Sequence, residues 1–254
     1  MPYPILNPAS PESARKSLCA FAVMAKAPRP GRVKTRLAPP LTLDQSAALN
    51  ICFLRDTTEN IAAVAAASGG VAGLISYTPL GDEALFDNLL PASFALIAQR
   101  GDGFGQRLLA AAEDILACGY GAVCLVDSDS PTVPAAAFGQ ARAELARPGD
   151  RVVLGASDDG GYYLIGMKRP HPELFTNITW STSTVHAETI VAAKNAGIQV
   201  SELPLWYDVD DGATLDLLFG ELLDDMPPPF AMSPGYPAPH SRSFLRELRS
   251  MKIA

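Results

Sequence analysis

The sequence feature that most constrains the fold is an alternation of short apolar runs with longer segments of helical spacing. The apolar runs have the length and residue types of buried strands and lie at 18–23, 71–77, 94–98, 122–126 and 152–155. Between them the spacing predicts helices at 42–67, 104–118 and 134–146, and a short helical turn at 82–88. Parallel strands need crossover connections, which are right-handed. The sequence therefore predicts an α/β fold, a doubly wound three-layer α/β/α sandwich with a mostly parallel central sheet.

The alternation continues to about residue 225 and then stops. An apolar strand resumes after Gly161, a helix is predicted over 181–196, an apolar run occupies 200–205, and another helix follows it. Prolines accumulate after Asp225, so we expect an extended tail outside the main core, with one short basic helix over 243–251. The predicted parts are an N-terminal extension over 1–17, a main domain over 18–225 and a proline-rich tail over 226–254.

The charge balance limits the partners of this chain. It carries 20 Lys and Arg against 27 Asp and Glu, a formal net charge of −7 over 254 residues. A nucleic-acid backbone requires a basic face, so nucleic acid is excluded as the main partner. No apolar run approaches the about 20 residues of a membrane span, the N-terminus is unlike a signal sequence, and the four cysteines lack metal-ligand spacing. We expect a cytoplasmic protein with reduced thiols and no membrane span, and we leave a homodimer open.

Two carboxylates directly follow the apolar run at 122–126. Asp127 and Asp129 would be costly to desolvate at the end of a buried strand unless they met a cation or hydrogen-bond donors. Oxygen ligands of this kind suit Mg²⁺ or Mn²⁺, which join one or two protein carboxylates to substrate phosphates. The pair therefore indicates a metal site. The alternative is that either carboxylate only caps the turn before Pro131 or the helix after it.

A cationic loop follows the first apolar run. A loop of this charge, placed after the first strand of a doubly wound sheet, suits a diphosphate, and arginine suits bidentate phosphate contact. Neither GxxxxGK[ST] nor GxGxxG occurs, so the loop is not one of the common phosphate-binding motifs. The alternative is a solvated run of charge. The cations of this loop are Lys26, Arg29, Arg32, Lys34 and Arg36.

Two further acidic stretches are candidates. Asp158 and Asp159 precede Gly160 and Gly161, a pair that permits close backbone approach to a ligand but is also typical of a plain hairpin turn. The second stretch places carboxylates between the run at 200–205 and the next helix, where acidic residues also occur for helix-dipole reasons alone. Its carboxylates are Asp208, Asp210 and Asp211.

At these residues the sequence resembles a bacterial family of glycosyltransferase-like proteins in the nucleotide-diphospho-sugar transferase superfamily. The resemblance implies a glycosyltransferase-A-like, Rossmann-type sandwich, a nucleotide near the first loop and a metal carboxylate at Asp129. Asp127 is extra to the family pattern and Thr132 replaces a carboxylate, while Asp210 is the transferable residue of its stretch. The matching stretches lie at 24–28, 31–37, 99–105, 129–131, 158–166, 180–182 and 207–210.

These observations lead to one hypothesis and two rivals. The hypothesis is sugar transfer from a nucleoside-diphosphate sugar, with Asp127, Asp129 and Asp210 arranging Mg²⁺ or Mn²⁺. Asp159 or Asp158 would address the acceptor or the sugar hydroxyls. The nucleotide would be bound by Lys26, Arg32, Lys34 and Arg36 of the loop and by the backbone at Gly160 and Gly161. The rivals are nucleotidyl transfer of the molybdopterin-guanylyl or phospholactate-guanylyl type, which releases pyrophosphate, and nucleotide binding without turnover.

Overall fold

The computed structural model describes the backbone of residues 2–253 and the side chains of residues 2–251. Seven strands form one sheet: β1 (Cys19–Lys26), β2 (Val71–Thr78), β3 (Ala95–Ala98), β4 (Ala122–Val126), β5 (Val152–Ser157), β6 (Tyr162–Met167) and β7 (Val200–Trp206). The α-helices of this part are α1 (Leu43–Ser68), α2 (Phe104–Ala117), α3 (Ala135–Ala146), α4 (Val185–Asn195), α5 (Gly212–Leu223) and α6 (Pro239–Ile253).

The strand order confirms the predicted doubly wound architecture. It runs β3-β2-β1-β4-β6-β5-β7, and only β6 lies antiparallel to its neighbours. The chain proceeds outward from β1 to β3 and then returns to place β4 on the other side of β1. The strand order therefore reverses between β1 and β4, and in open α/β sheets ligands bind beyond the carboxyl ends of strands at such a reversal.

Alternating side chains of the central strands supply two hydrophobic cores. In β1, Phe21 and Val23 face the core formed with α1, α3, α5 and α6, whereas Ala20 and Ala22 face the core formed with α2 and α4. All four residues are fully buried. Strands covered on both faces read as continuous apolar runs, which is why the run at 18–23 could be recognised in the sequence.

Helix α1 begins where its capping signal predicts. The Thr42 side chain accepts a hydrogen bond from the Gln45 backbone N–H, and the Gln45 side chain accepts one from the Thr42 backbone N–H. This reciprocal pair satisfies two backbone donors that a helix start otherwise leaves without partners. The cap fixes the end of the cationic loop, which connects β1 to α1.

The C-terminal segment departs from the prediction. Helix α6 is longer than the predicted 243–251 and packs on α1, and both Leu245 and Leu248 belong to the core on that face. The buried Asp56 of α1 accepts hydrogen bonds from the Ser241 backbone and hydroxyl. The expectation that the tail lies outside the main core is therefore wrong. Few apolar residues at helical spacing follow the prolines, and two of them, Leu245 and Leu248, are buried, whereas Met251 is exposed.

The N-terminal segment also packs on the sheet. The Tyr3 hydroxyl donates to the Leu90 carbonyl at 2.6 Å, and Ile5 pairs with Leu96 of the edge strand β3. The division at residues 17 and 225 stays a prediction. No helix in the described range is long and apolar enough to cross a membrane.

Candidate functional site

A cleft of about 350 Å³ lies at the carboxyl ends of β1 and β4, at the reversal of strand order. The cationic loop forms one wall of the cleft. The loops that follow β4 and β7 form a second wall. The end of β3 and the first turn of α2 form the third wall. Four of the five predicted loop cations, together with two of the predicted carboxylates, line this space: Lys26, Arg32, Lys34, Arg36, Asp129 and Asp210.

Lys34 joins the two carboxylates. Its Nζ lies 2.9 Å from Asp129 Oδ1 and 2.8 Å from Asp210 Oδ1, and it donates to the Val209 carbonyl at 2.7 Å. Burial alone lowers the pKa of Lys34, but the charges and hydrogen bonds of Asp129 and Asp210 outweigh it, so the pKa is raised and the side chain is an ammonium. A buried charge needs such partners, and here two carboxylates share one cation.

The buried position of Lys34 shows that the cationic loop is not simply a solvated run of charge. Only 4% of the Lys34 side chain is exposed, whereas 78% of the Arg36 side chain is. Arg36 lies 3.8 Å from Asp210 Oδ2 and otherwise projects into solvent. Lys34 has a left-handed backbone conformation with φ 47°, at the point where the loop enters a short 3₁₀ turn. Lys34 is therefore part of the folded interior, and Arg36 is not.

The other cations of the loop divide into two groups. Lys26 and Arg32 are exposed on the cleft wall, and neither forms an ion pair with a residue in the described range. Arg29 instead pairs with Asp82 at 2.6 Å, and neither member of that pair lines the cleft. Lys26 and Arg32 thus present charge that an anionic ligand can neutralise.

Asp129 and Asp210 meet because their loops are tied together. The Val209 backbone N–H donates to the Asp129 carbonyl at 2.9 Å. Asp211, the next residue, accepts the Thr214 backbone N–H and caps α5, which leaves Asp210 as the carboxylate that faces the cleft. The alternative of helix capping therefore applies to Asp211, and the expectation that Asp210 is the functional residue of this stretch stays a prediction.

Asp127 is placed differently from Asp129. It is absent from the cleft lining, and its Oδ2 accepts a hydrogen bond from the Ser130 hydroxyl at 2.7 Å. Its Oδ1 has no hydrogen-bond partner in the described range. Burial, and after it the charge of Asp129, raises the pKa of the Asp127 carboxyl well above its ordinary value. The structure thus brings Asp129 and Asp210 together but holds the half-buried Asp127 outside the cleft, with its Oδ1 inaccessible to solvent.

The glycine pair lies in the hairpin between β5 and β6 and does not line the cleft. The Gly161 backbone N–H donates to Asp159 Oδ1 at 2.7 Å. Gly160 has φ 92°, and a Cβ there would lie 2.0 Å from the Ser183 carbonyl oxygen. The glycines therefore serve turn geometry and close backbone packing. Asp159 does not line the cleft, and its charge helps to raise the pKa of Asp208.

Asp208 is a candidate carboxylate without a role assigned from the sequence, and it lies behind the cleft and not in its lining. Its Oδ1 accepts a hydrogen bond from the Ser157 hydroxyl at 3.0 Å. Burial, and then the charges of Asp159 and Asp210, raises the pKa of Asp208 to about 6. The signal for it was the alternation of carboxylates at 208 and 210, which places two acidic side chains after one strand.

The third wall of the cleft was missed by sequence reasoning. It consists of Gln99, which directly follows β3, and of Phe104 and Arg107 in the first turn of α2. Gln99 Nε2 donates to the Ser76 carbonyl at 2.7 Å, and the half-exposed Phe104 ring packs edge-to-face against Trp180 with centroids 5.3 Å apart. The glycine-rich stretch at 99–105 matches the family, but its residue types alone did not indicate a chemical role.

The carboxylate pair fits a divalent ion only together with a ligand. The described residues contain no group of three or more His, Cys, Asp or Glu placed to hold a metal ion. Asp129 and Asp210 nevertheless converge on one cation, the Lys34 ammonium, and both face the cleft. Mg²⁺ commonly takes one or two protein carboxylates and fills its remaining positions with water and substrate phosphates. The donor set meets that requirement.

The strand order and the helices on both faces of the sheet define a Rossmann-like, glycosyltransferase-A-like fold, with a cleft lined by cations at its carboxyl edge. A family described as an uncharacterized protein conserved in bacteria (DUF2064) matches residues 61–182. No curated protein matches the chain.

Solved structures resemble the chain over most of its length. A putative nucleotide-diphospho-sugar transferase from Desulfovibrio desulfuricans G20 is 28% identical with a TM-score of 0.75, and the match covers 91% of this chain and 95% of that one. A CMP:2-keto-3-deoxy-manno-octonic acid synthetase, solved with CTP, is 12% identical with a TM-score of 0.51, and the match covers 82% of this chain and 99% of that one. The first match confirms the resemblance to nucleotide-diphospho-sugar transferases, and the second reflects the fold alone.

Proposed function

We propose that the protein transfers a sugar from a nucleoside-diphosphate sugar with the help of Mg²⁺ or Mn²⁺. The observation that carries the proposal is the cleft itself, in which a carboxylate pair faces unpaired cations at the reversal of strand order. The likeness to a nucleotide-diphospho-sugar transferase over 91% of the chain supports the donor class. A diphosphate can meet the exposed cations and an ion held by the carboxylates at the same time.

The residues of the cleft have distinct parts in this reaction. Lys26, Arg32 and Arg36 neutralise phosphate oxygens and stabilise the negative charge that develops on the leaving diphosphate. Asp129 and Asp210 hold the divalent ion, which when bound supplies Lewis-acid stabilisation of the same charge. Fixed charges aimed at the leaving group act mainly on the transition state, where that charge is largest.

Asp159 is the proposed contact for the acceptor or the sugar hydroxyls. Its carboxylate is exposed at the turn between β5 and β6, and its Oδ1 is oriented by the Gly161 backbone N–H. Oδ2 is then available to accept a hydroxyl hydrogen bond. In this arrangement Gly160 and Gly161 position Asp159 and do not themselves bind the nucleotide.

Nucleotidyl transfer from a nucleoside triphosphate is the second candidate. The feature that favours it is the number of cations around the cleft, because Arg107 adds a further positive charge from the third wall. Such a set can also accommodate a triphosphate and a pyrophosphate leaving group. Binding of a nucleotide without turnover is the remaining alternative.

A product assay separates these candidates. The protein is incubated with panels of sugar nucleotides and nucleoside triphosphates, with and without Mn²⁺ or Mg²⁺, and released nucleoside diphosphate and pyrophosphate are quantified. Metal-dependent release of nucleoside diphosphate from a sugar nucleotide supports the proposal. Pyrophosphate release from a triphosphate supports the second candidate, and tight binding with neither product supports the third.

A further inference from the structure

The Lys34 ammonium occupies the position between Asp129 and Asp210 at which those carboxylates converge. Its distances to the two Oδ1 atoms are 2.9 and 2.8 Å, and the Val209 carbonyl accepts a third hydrogen bond from it. We propose that Lys34 is a built-in counter-ion of the carboxylate pair, which competes with the divalent ion and leaves the pair when a phosphate ligand enters. This inference rests on the proposed function, because it concerns the ion that Asp129 and Asp210 would hold.

Electrostatics accounts for the first part of the proposal. Two carboxylates held close together repel each other unless a cation lies between them. The ammonium provides that cation from within the chain, so the pair keeps its arrangement in the absence of metal. The Lys34 side chain is almost fully buried, so little water surrounds its ammonium. The attraction between the ammonium and the two carboxylates is therefore stronger than it would be in solvent.

Competition follows from the same geometry. A divalent ion held by Asp129 and Asp210 would lie close to the ammonium that now pairs with both carboxylates, and like charges at short distance repel. The Lys34 side chain is a flexible stem that lines the cleft, so its ammonium can move toward the space where a phosphate would lie. A phosphate offers the ammonium new acceptors and offers the metal further ligands.

Binding of the divalent ion and binding of the nucleotide are therefore coupled through Lys34. The divalent ion alone binds weakly, because it must displace the ammonium with no compensating partner. With a phosphate ligand present, the ammonium has an alternative acceptor and the displacement costs less. Coupling between two ligands is reciprocal, so the ion raises nucleotide affinity by the same factor.

The decisive experiment measures Mn²⁺ affinity in the absence of nucleotide. Free Mn²⁺ is followed by electron paramagnetic resonance for the wild type, Lys34→Gln and Lys34→Met. Both substitutions remove the competing charge, so we expect the nucleotide-free Mn²⁺ affinity to rise at least about tenfold. Arg36→Gln is the matched control, since it removes the same charge from an exposed side chain 3.8 Å from Asp210. We expect a change of less than about threefold for it, because exposed charges are screened.

A measurement on the wild type covers the case in which the Lys34 variants do not fold. Lysine acylation is read by mass spectrometry across a Mn²⁺ titration without nucleotide, with the exposed Lys26 as reference. We expect Lys34 labelling to be low at first and to rise with Mn²⁺ as the ammonium is displaced. Constant Lys34 labelling throughout the titration overturns the proposal.

The outcomes distinguish this inference from the proposed function. Unchanged or weaker nucleotide-free Mn²⁺ affinity in folded Lys34→Gln overturns the counter-ion role, whatever the product assay shows. Failure to release nucleoside diphosphate from any sugar nucleotide overturns sugar transfer, while a gain of Mn²⁺ affinity in Lys34→Gln still supports the counter-ion role.

Discussion

Replacement of Asp129 by asparagine separates a metal ligand from a residue that only supports the fold. Asparagine keeps the shape of the side chain and can still accept a hydrogen bond from Lys34, but it has no charge. If Asp129 is a ligand, metal-dependent nucleotide binding should be lost. If Asp129 serves only the buried ion pair, the protein should lose stability and keep its metal-dependent affinity.

The expected cost in stability can be worked out from the contacts of Lys34. Removing one partner of a buried ion pair costs about 3–5 kcal/mol when the other charge is left without compensation. Here Lys34 keeps Asp210 and the Val209 carbonyl, at 2.8 and 2.7 Å. We therefore expect a smaller loss of about 1–3 kcal/mol in the free energy of unfolding. For a chain of this size such a loss lowers Tm by roughly 2–10 °C.

The expected loss in binding is larger than the loss in stability. Removing a group that only orients a metal ligand weakens metal affinity by about 10–100-fold, so loss of an anionic ligand should cost at least about a hundredfold. Calorimetric titration with uridine or guanosine diphosphate, with and without Mn²⁺, measures this difference. Thermal unfolding of the same samples measures the stability term.

Asp82→Asn is the matched control, because Asp82 also pairs with a loop cation at 2.6 Å but lies outside the cleft. It should leave metal-dependent affinity unchanged. An Asp129→Asn protein with reduced Tm and full metal-dependent affinity would refute the ligand role.

Three further predictions concern the loop, the C-terminal helix and the thiols. Arg36→Ala should lower affinity for a nucleoside diphosphate while changing the free energy of unfolding by less than about 0.5 kcal/mol, because the side chain is exposed; equal affinities in calorimetry would contradict it. Deletion of residues after Asp225 should yield little soluble protein or a clearly lower Tm, since it removes the buried Leu245 and Leu248, each worth about 1.5–3 kcal/mol; an unchanged melting curve would show that α6 contributes nothing. Burial, and then the charge of Asp56, raises the pKa of Cys52 to about 11, so its reaction with a thiol reagent at pH 8 should be slow and should rise about tenfold per pH unit toward that value; fast labelling of the native protein at pH 8 would be the opposite result.

The strands of the fold were predictable because their signals are local. The run at 122–126 coincides with β4, and the Thr42 cap predicts the start of α1, since each depends on residues adjacent in the chain. The antiparallel direction of β6 was not predictable from its apolar run, because a buried strand reads alike in either direction. The packing of helix α6 on the core was not predictable for another reason: Leu245 and Leu248 are buried only because α1 provides a complementary surface.

The site was predictable in its residue types and less so in its geometry. The carboxyl ends of strands meet at one edge of a parallel sheet, so Asp129 and Asp210 were expected near the same place. The burial of Lys34 depends on a partner 176 residues later in the chain, and no local pattern reveals such a contact. From the sequence alone a cationic loop residue is expected to be exposed, and only the structure shows which carboxylates pair with it.

The pairing of Lys34 with Asp129 and Asp210 also affects the net charge that the cleft presents to a ligand. Five cationic side chains and two carboxylates line it, a surplus of three positive charges in a chain whose formal net charge is −7. Because the Lys34 ammonium offsets one of the two negative charges of Asp129 and Asp210, only one negative charge remains to oppose the exposed cations Lys26 and Arg32. The cleft is therefore a positive region on a negative molecule, and concave sites of one sign concentrate ligands of the opposite sign. In the proposed function, this partial compensation by Lys34 reduces the repulsion between the two carboxylates and the phosphates of an approaching ligand.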